Sequence, residues 1–320
     1  MSSMKKSNKK IFNVLWSSRD FGGAEIYVET MRKTWGTETI ALENLSIKEI
    51  LSLTYNISFG SDNYIFHDIR AALLGFFSPN RKHITVVHGP GRSILITKVI
   101  IFLQAFIQKK VILVSSNIFQ MQINKRLLVL ENFSTAGIQT DDTTNDAIYF
   151  GRISESKGVY KMLNFWVEHE VLGKLHVVGD GNLLNELMEC FSNQSNICFY
   201  GSKSHSEIAI IASKCRYYVS FSEREGLSLS LLEAMDGGLI PLVKNIPSQS
   251  FVYEIDGIPS IDGNMIELVA QILAIDSFTK NDRKTLQKNI QNIIRARFRN
   301  KWINTWSDLL NVRPINQKQK

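Results

Sequence analysis

Apolar residues in this chain fall into short continuous runs separated by longer amphipathic stretches. The β-branched and aromatic runs Ile11–Ser17, Thr39–Leu42, Tyr64–His67, His83–Val87 and Val111–Ser115 predict strands with helices between them. After Phe21-Gly22-Gly23-Ala24-Glu25 the spacing becomes helical through Trp35. Residues Ser134–Asp146 are polar, hold a glycine and two adjacent aspartates, and show no period, so they are read as a linker. A second series follows, with strands at Ala147–Gly151, Lys174–Val178, Ile197–Tyr200 and Tyr217–Phe221. Its helices are expected at Val159–Glu168, Leu183–Phe191, Ser206–Ala212 and from about Ser228 to Met235. Arg283–Leu310 reads as one or two amphipathic helices. Continuous apolar strands alternating with helices imply parallel sheets covered on both faces. The expected organisation is therefore α/β, with domains at 1–133 and 147–282, a linker at 134–146 and closing helices and tail at 283–320.

Length and composition agree with that pattern. The chain has 320 residues, 44% apolar and 21% charged, with six prolines, which suits two globular cores. Its formal charge is +7. Up to Asp146 there are 17 basic and 12 acidic residues, and beyond it 20 and 18, so the excess lies mostly in the first half. Such a bias suits an anionic membrane surface or a phosphorylated ligand; a nucleic-acid role ranks last, because no basic patch interleaved with aromatics occurs. Cys190, Cys198 and Cys215 form no C-x-x-C pair, which argues against a zinc site or disulfide framework and for a reducing, cytoplasmic setting. The opening lysines and the short apolar run after them do not make a signal peptide.

The greasy stretch Ile94–Ile107 is too short to span a bilayer. Thr97, Gln104 and Gln108 form one narrow polar stripe on it, so it reads as a helix buried between layers. The alternative is a patch dipping into an anionic leaflet, helped by Lys98, Lys109, Lys110 and Phe76-Phe77.

Chemistry concentrates in two strand-to-helix loops. In Glu225-Gly226-Leu227-Ser228-Leu229-Ser230-Leu231-Leu232-Glu233-Ala234-Met235 two carboxylates stand eight residues apart. Amides of Gly226, Leu227 and Ser228 at the helix start favour a phosphate, while Glu233 can grip paired hydroxyls. The plainer alternative is that Ser228 merely caps a helix and Glu233 is solvated. The other loop, Gly151-Arg152-Ile153-Ser154-Glu155-Ser156-Lys157-Gly158, supplies an arginine and a lysine where a parallel sheet binds ligands.

From Ala147 to Val243 the chain resembles the donor-binding domain of retaining GT-B glycosyltransferases of family 4. The E-x7-E signature (Glu225, Glu233), the GR-x(4)-KG element (Gly151, Arg152, Lys157, Gly158) and Val178-Gly179-Asp180-Gly181 carry the resemblance. The first half is similar more loosely, through Phe21–Glu25 and Val87-His88-Gly89-Pro90. The resemblance implies two Rossmann-like domains facing a cleft, with the last helix crossing back to the first. It implies a sugar passed with retention from a nucleotide diphosphate, UDP or GDP, and no resident cofactor. The implied acceptor is a glycan or polyprenyl-diphosphate-linked oligosaccharide of a capsule, O-antigen or exopolysaccharide, with peripheral contact to an anionic membrane. Arg152 and Lys157 would neutralise the diphosphate. Glu233 would hold the ribose, and Glu225 with the amides after Gly226 would place the sugar. Gly201 and Lys203 would seat the base, Gly22 and Gly23 would let the backbone approach the diphosphate, and His88 would reach the donor sugar. No D-x-D motif occurs, so a metal is not expected in the leaving-group role.

Asp236 departs from the family pattern, placing a negative charge near a phosphate site, and Ser228 replaces a frequent glycine. A different GT-B reaction, such as epimerisation or phosphorolysis, and a non-catalytic partner subunit are the competing readings. Gly22-Gly23 lacks the G-x-G-x-x-G fingerprint, and Gly179-Asp180-Gly181 is read as a turn. His67, His83, His169, His176 and His205 show no metal-ligand spacing and are read as structural or surface.

Overall fold

A computed structural model describes residues 9–16, 23–67, 69–76, 83–88, 94–107, 110–114, 126–133, 137–169, 172–225, 227–259, 261 and 265–315. The chain divides into two compact units, one of residues 1–133 with 301–320 and one of residues 134–300. The first holds strands β1 (Ile11–Leu15), β2 (Glu38–Ala41), β3 (Asn63–Phe66), β4 (Ile84–Val87), β5 (Lys110–Leu113) and β6 (Leu127–Val129). All pair in parallel in the order β2-β1-β3-β4-β5-β6. Its helices are α1 (Gly23–Trp35), α2 (Ile47–Phe59), α3 (Ile69–Ala72) and α4 (Ile94–Ile107).

Register settles which side chains share a sheet face. Val14 lies beside Phe66, Phe66 beside Thr85, and Val87 beside Leu113. One face therefore carries Val14, Phe66, Val87 and Leu113, and it is covered by α2 through Leu53 and Ile57 and by α4 through Ile101 and Ala105. Asn13 alternates to the opposite face, where α1 buries Tyr27 and Met31.

The second unit is a parallel sheet in the order β11-β10-β7-β8-β9. Its strands are β7 (Ala147–Phe150), β8 (Leu175–Val178), β9 (Ile197–Gly201), β10 (Tyr217–Ser220) and β11 (Ile240–Val243). The helices are α5 (Val159–Glu168), α6 (Leu184–Cys190), α7 (His205–Ala212), α8 (Leu229–Asp236), α9 (Met265–Asp276) and α10 (Lys280–Ile294). Pro241 is tolerated inside β11 because that strand is the sheet edge.

The polar stretch read as a linker is bonded into the second unit. Thr140 N donates to Gly237 O at 3.0 Å and Asp141 N to Ser213 O at 2.7 Å. Asp142, at φ +50°, accepts from Arg216 and Arg283, both at 2.6 Å. Arg216 also reaches Asp276 at 2.5 Å. Carboxylate and guanidinium here are buried together, which offsets the cost of desolvating either alone.

Arg283–Leu310 divides at a π-helical turn, Arg295–Asn300. Helix α10 packs on α8, whereas a final helix, α11 (Lys301–Leu310), belongs to the first unit. Trp302 and Trp306 of α11 are fully buried, and the Trp306 indole donates to the Tyr27 hydroxyl at 2.6 Å.

Candidate functional site

In the second sheet the chain runs from β7 to β8 and β9 on one side, then returns to place β10 on the other side of β7. The loops after β7 and β10 thus diverge at a reversal of strand order, where open α/β sheets form their binding crevice. Residues from both loops meet there. Lys157 Nζ donates to Glu225 Oε1 at 2.5 Å across 68 residues of chain, with the carboxylate nearly buried and the lysine half-buried. Lys157 ends a 3-10 turn, Glu155–Lys157, and Gly158 follows at φ +63°. A Cβ on Gly158 would stand 2.3 Å from Phe221 O, so only glycine lets the two loops close on each other.

The β7 loop is joined in the same way to the β8 loop. Gly151 N donates to Val178 O at 3.0 Å and Ile153 N to Asp180 O at 2.8 Å. A Cβ on Gly179 would come within 1.9 Å of Gly151 O. Gly179-Asp180-Gly181 is therefore more than a turn, since it abuts the Arg152 loop backbone to backbone. Arg152 is exposed, its carbonyl held by the Tyr149 hydroxyl at 2.6 Å. With Asp180, Gly181 and Asn182 it lines an open cavity of about 540 Å³. Asp180 was read from sequence within Val178-Gly179-Asp180-Gly181 but given no role, and Asn182 was not singled out; its place directly after that Asp-Gly pair is the signal that could have found it.

Helix α8 starts on the same side of the sheet. Ser228 is its cap, its hydroxyl accepting from Leu231 N at 3.4 Å and sitting 3.1 Å from Ser230 Oγ. Leu227 is half-buried, and Gly226 lies outside the described residues. Ser230 touches the Tyr218 hydroxyl at 2.9 Å. Burial pushes that phenol up to about 12, and the Glu225 charge acts in the same direction. Glu233 is not solvated; only 4% of it is exposed. The charge of Asp236 is met by Arg295 Nε at 3.1 Å, which neutralises that departure from the family pattern.

Gly201 closes β9, its carbonyl accepting from Gly179 N at 2.8 Å. Lys203 pairs with Glu207 at 3.3 Å. The capping contacts of Ser204, with Lys203 adding to them, hold the Glu207 carboxyl down to about 2.

In the first unit Gly23 opens α1, while Gly22 lies outside the described residues. His88 follows β4 and stands at the end of a buried polar chain. Asn13 donates to Thr37 Oγ1 at 2.6 Å, and its carbonyl oxygen faces His67 Nε2 at 2.9 Å. His67 Nδ1 lies 3.2 Å from His88 Nε2. With the Asn13 amide so placed, His67 donates through Nε2 and accepts at Nδ1, so His88 is the Nε2–H tautomer. His67, read from sequence as structural or surface, is buried and holds the candidate residue His88.

Burial lowers His88 to about 4 and His67 well below the ordinary 6.5, the neighbouring imidazole adding to the second shift. Both are neutral at pH 7. The unfolded chain takes up protons below 6.5 that the folded one refuses, so this stability is complete above pH 6.5 and is withdrawn as pH falls towards 4. Melting temperatures recorded from pH 7.5 down to 5 are expected to fall, and His88→Phe is expected to flatten the slope between 6.5 and 5. An unchanged slope in that variant would refute the assignment.

Among the described residues, no cluster of three or more side chains suited to a metal occurs, and no helix is long and apolar enough to cross a membrane. The family model for glycosyl transferases group 1 matches residues 132–295. Two curated relatives are GDP-mannose:cellobiosyl-diphosphopolyprenol alpha-mannosyltransferases, from Xanthomonas oryzae pv. oryzae (strain PXO99A) at 28% identity and Xanthomonas campestris at 27%. Each match covers 136 residues, 38% of this chain, and spans about a third (35%) of the relative's length. Among solved structures, Anabaena Alr3699/HepE in complex with UDP and glucose superposes with a TM-score of 0.72 at 15% identity, covering 95% of this chain and all of that one. The lipopolysaccharide outer core galactosyltransferase WaaB, in its apo form, gives 0.62 at 13%, covering 94% and 99%. These likenesses show the fold expected from the sequence, two parallel-sheet α/β units of the GT-B type.

Proposed function

This chain belongs to the glycosyl transferases group 1 family, and from that membership we propose that it moves a sugar from a nucleotide diphosphate to a glycan or polyprenyl-diphosphate-linked acceptor, with retention at the anomeric carbon. The observation that carries the proposal is the Lys157–Glu225 pair at the strand-order reversal, with Arg152 on the same loop after β7 as Lys157. An ammonium has three donors; one is engaged by Glu225, leaving two for phosphate oxygens. Arg152 adds a planar fork for the same diphosphate. As the sugar–phosphate bond breaks, negative charge grows on the departing diphosphate, and cations already in place stabilise it more than they do the ground state.

Glu225 is an acceptor-only group, so it suits hydroxyls of the transferred sugar, and Lys157 screens it from the diphosphate. Glu233, buried on α8, takes the ribose hydroxyls, and Gly201 with Lys203 the base. The Ser228 cap and the Leu227 amide before it sit at the positive end of α8. Arginine, lysine and helix amides meet the leaving group's charge, so the reaction is proposed without a metal or other cofactor. The curated relatives' names, with a GDP-linked donor and a diphosphopolyprenol acceptor, support this substrate class and an assignment to bacterial surface polysaccharide synthesis.

A thermal-shift screen against UDP, GDP, ADP and CMP and their sugar conjugates tests the reading. A ligand held only by the native state adds about 2.7 kcal/mol at a hundredfold excess over its Kd. One nucleotide is expected to stand out, to name the base, and to lose its effect in Lys157→Ala. A flat response from folded protein would overturn the donor assignment and favour a non-catalytic partner subunit.

A further inference from the structure

The loop that carries Glu225 has little backbone holding it. Among the described residues of 221–227, no backbone amide donates to a backbone carbonyl. Side chains shape it instead. Ser222 N donates to Ser220 Oγ at 3.5 Å, and that hydroxyl donates to Ser222 Oγ at 3.2 Å. Glu223 and Arg224 are exposed, and Glu225 is gripped by Lys157 from the other loop. A segment tied so sparsely takes its shape from whatever fixes its two ends.

One end is strand β10, which is paired on both sides, with β7 and β11. The other is the start of α8, and a chain of hydroxyls joins it to the strand. Tyr218 is fully buried, its ring edge-on to Phe150 with centroids 5.3 Å apart. Its hydroxyl lies 2.9 Å from Ser230 Oγ, Ser230 Oγ lies 3.1 Å from Ser228 Oγ, and Ser228 Oγ accepts from Leu231 N at 3.4 Å. A phenol is a stronger acid than an alcohol, so Tyr218 donates to Ser230 and Ser230 to Ser228. Apolar side chains of similar size would fill this space with no polar group to desolvate. What the hydroxyls add is direction, since hydrogen bonds fix the first turn of α8 against β10 at one angle. The neighbouring strand repeats the device: the Tyr149 hydroxyl at the end of β7 holds the Arg152 carbonyl. Burial first, and the Glu225 charge with it, push both phenols up, so neither loses its proton near neutral pH.

We propose that Tyr218, acting through Ser230, is a positioning residue of the donor site: it sets the start of α8, and with it the Glu225 loop, against the second phosphate and the sugar of the nucleotide. The proposal rests on the donor-site reading above and gives a role to two residues that carry no charge.

It is tested by titration calorimetry of the full chain with GMP, GDP and GDP-mannose and with UMP, UDP and UDP-glucose. In the base series that the native chain binds, Tyr218→Phe and Ser230→Ala are each expected to weaken the diphosphate and the sugar nucleotide by about tenfold, the scale of one hydrogen bond to a charged group. Affinity for the monophosphate is expected to stay as it was. Ser230→Thr, which keeps the hydroxyl, is expected to keep native affinities. The double variant Tyr218→Phe, Ser230→Ala should lose no more than either single one, because both act through one chain. A packing defect alone would lower the melting temperature and leave the ratio of diphosphate to monophosphate affinity at its native value. That ratio unchanged in both single variants would overturn the proposal, as would an equal loss for all three ligands. Lys157→Ala separates the two levels of the argument. If it loses the preference for diphosphate while Tyr218→Phe and Ser230→Ala keep it, the positioning role alone fails. If the native chain shows no such preference, or Lys157→Ala retains it, the donor-site reading fails and the role of Tyr218 falls with it.

Discussion

Lys157→Ala is expected to lower kcat/KM for sugar transfer by about 10²- to 10³-fold, the range seen when one preorganised electrostatic group is removed from a transition state. The loss should fall mainly on kcat, because the charge Lys157 meets is largest once the diphosphate has begun to leave. Glu225→Ala is expected to cost a similar factor. The two losses should not add, since each variant already breaks the same 2.5 Å contact. Lys161→Ala is the control: its lysine lies close by and pairs with Glu223 at 2.6 Å, but both are exposed. It should change the rate little. Initial-rate measurements on the three variants decide the matter; full activity in Lys157→Ala, or an equal loss in Lys161→Ala, would remove the pair from the proposed site.

Trp306→Ala is expected to destabilise the first unit by about 3–5 kcal/mol, the usual cost of truncating a fully buried tryptophan. Its indole fills space against Tyr27, whose ring also contacts His67, His88 and Trp302. Truncation also leaves the Tyr27 hydroxyl, now the acceptor of the indole N–H, without that donor in a dry core. For a unit of this size the melting temperature should fall by roughly 6–20 °C. Trp306→Phe, which keeps most of the volume but not the donor, should lose a smaller part. A calorimetric scan in which Trp306→Ala melts like the native chain would show that α11 does not complete this core.

The α/β alternation was legible because strand and helix periods differ and most elements here are long enough to display them. Strands β6 and β11 and helix α9 were not predicted. Three residues in β6 and a proline in β11 leave too little period to detect. Both loops that carry Arg152, Lys157 and Glu225 were legible as strand ends, but their meeting was not. It depends on β10 lying beside β7, which strand order alone decides. Gln104 reads as the polar side of its helix, yet it is fully buried while Val99, Phe102 and Leu103 lie exposed, since an average pattern contains nothing about which phase covers the other side. The bond from His67 to His88 was hidden for the same reason, two strand ends brought together by pairing. The charge split at Asp146 also understates the basicity of the first unit, half because Asp141, Asp142 and Asp146 belong to the second unit and half because residues 301–320 count with the first.

That return has a consequence for the order in which the protein can be made. The ribosome delivers Tyr27 first and its partner Trp306 only 279 residues later. Residues 134–300, the whole second unit, are synthesised in between. The second unit can therefore close while the chain is still growing, but the first must wait with an unfinished aromatic pocket on α1. During that interval the nascent chain carries exposed tyrosine and tryptophan surface, so the first unit, although first in sequence, is the one that needs protection from chaperones until translation has passed α11.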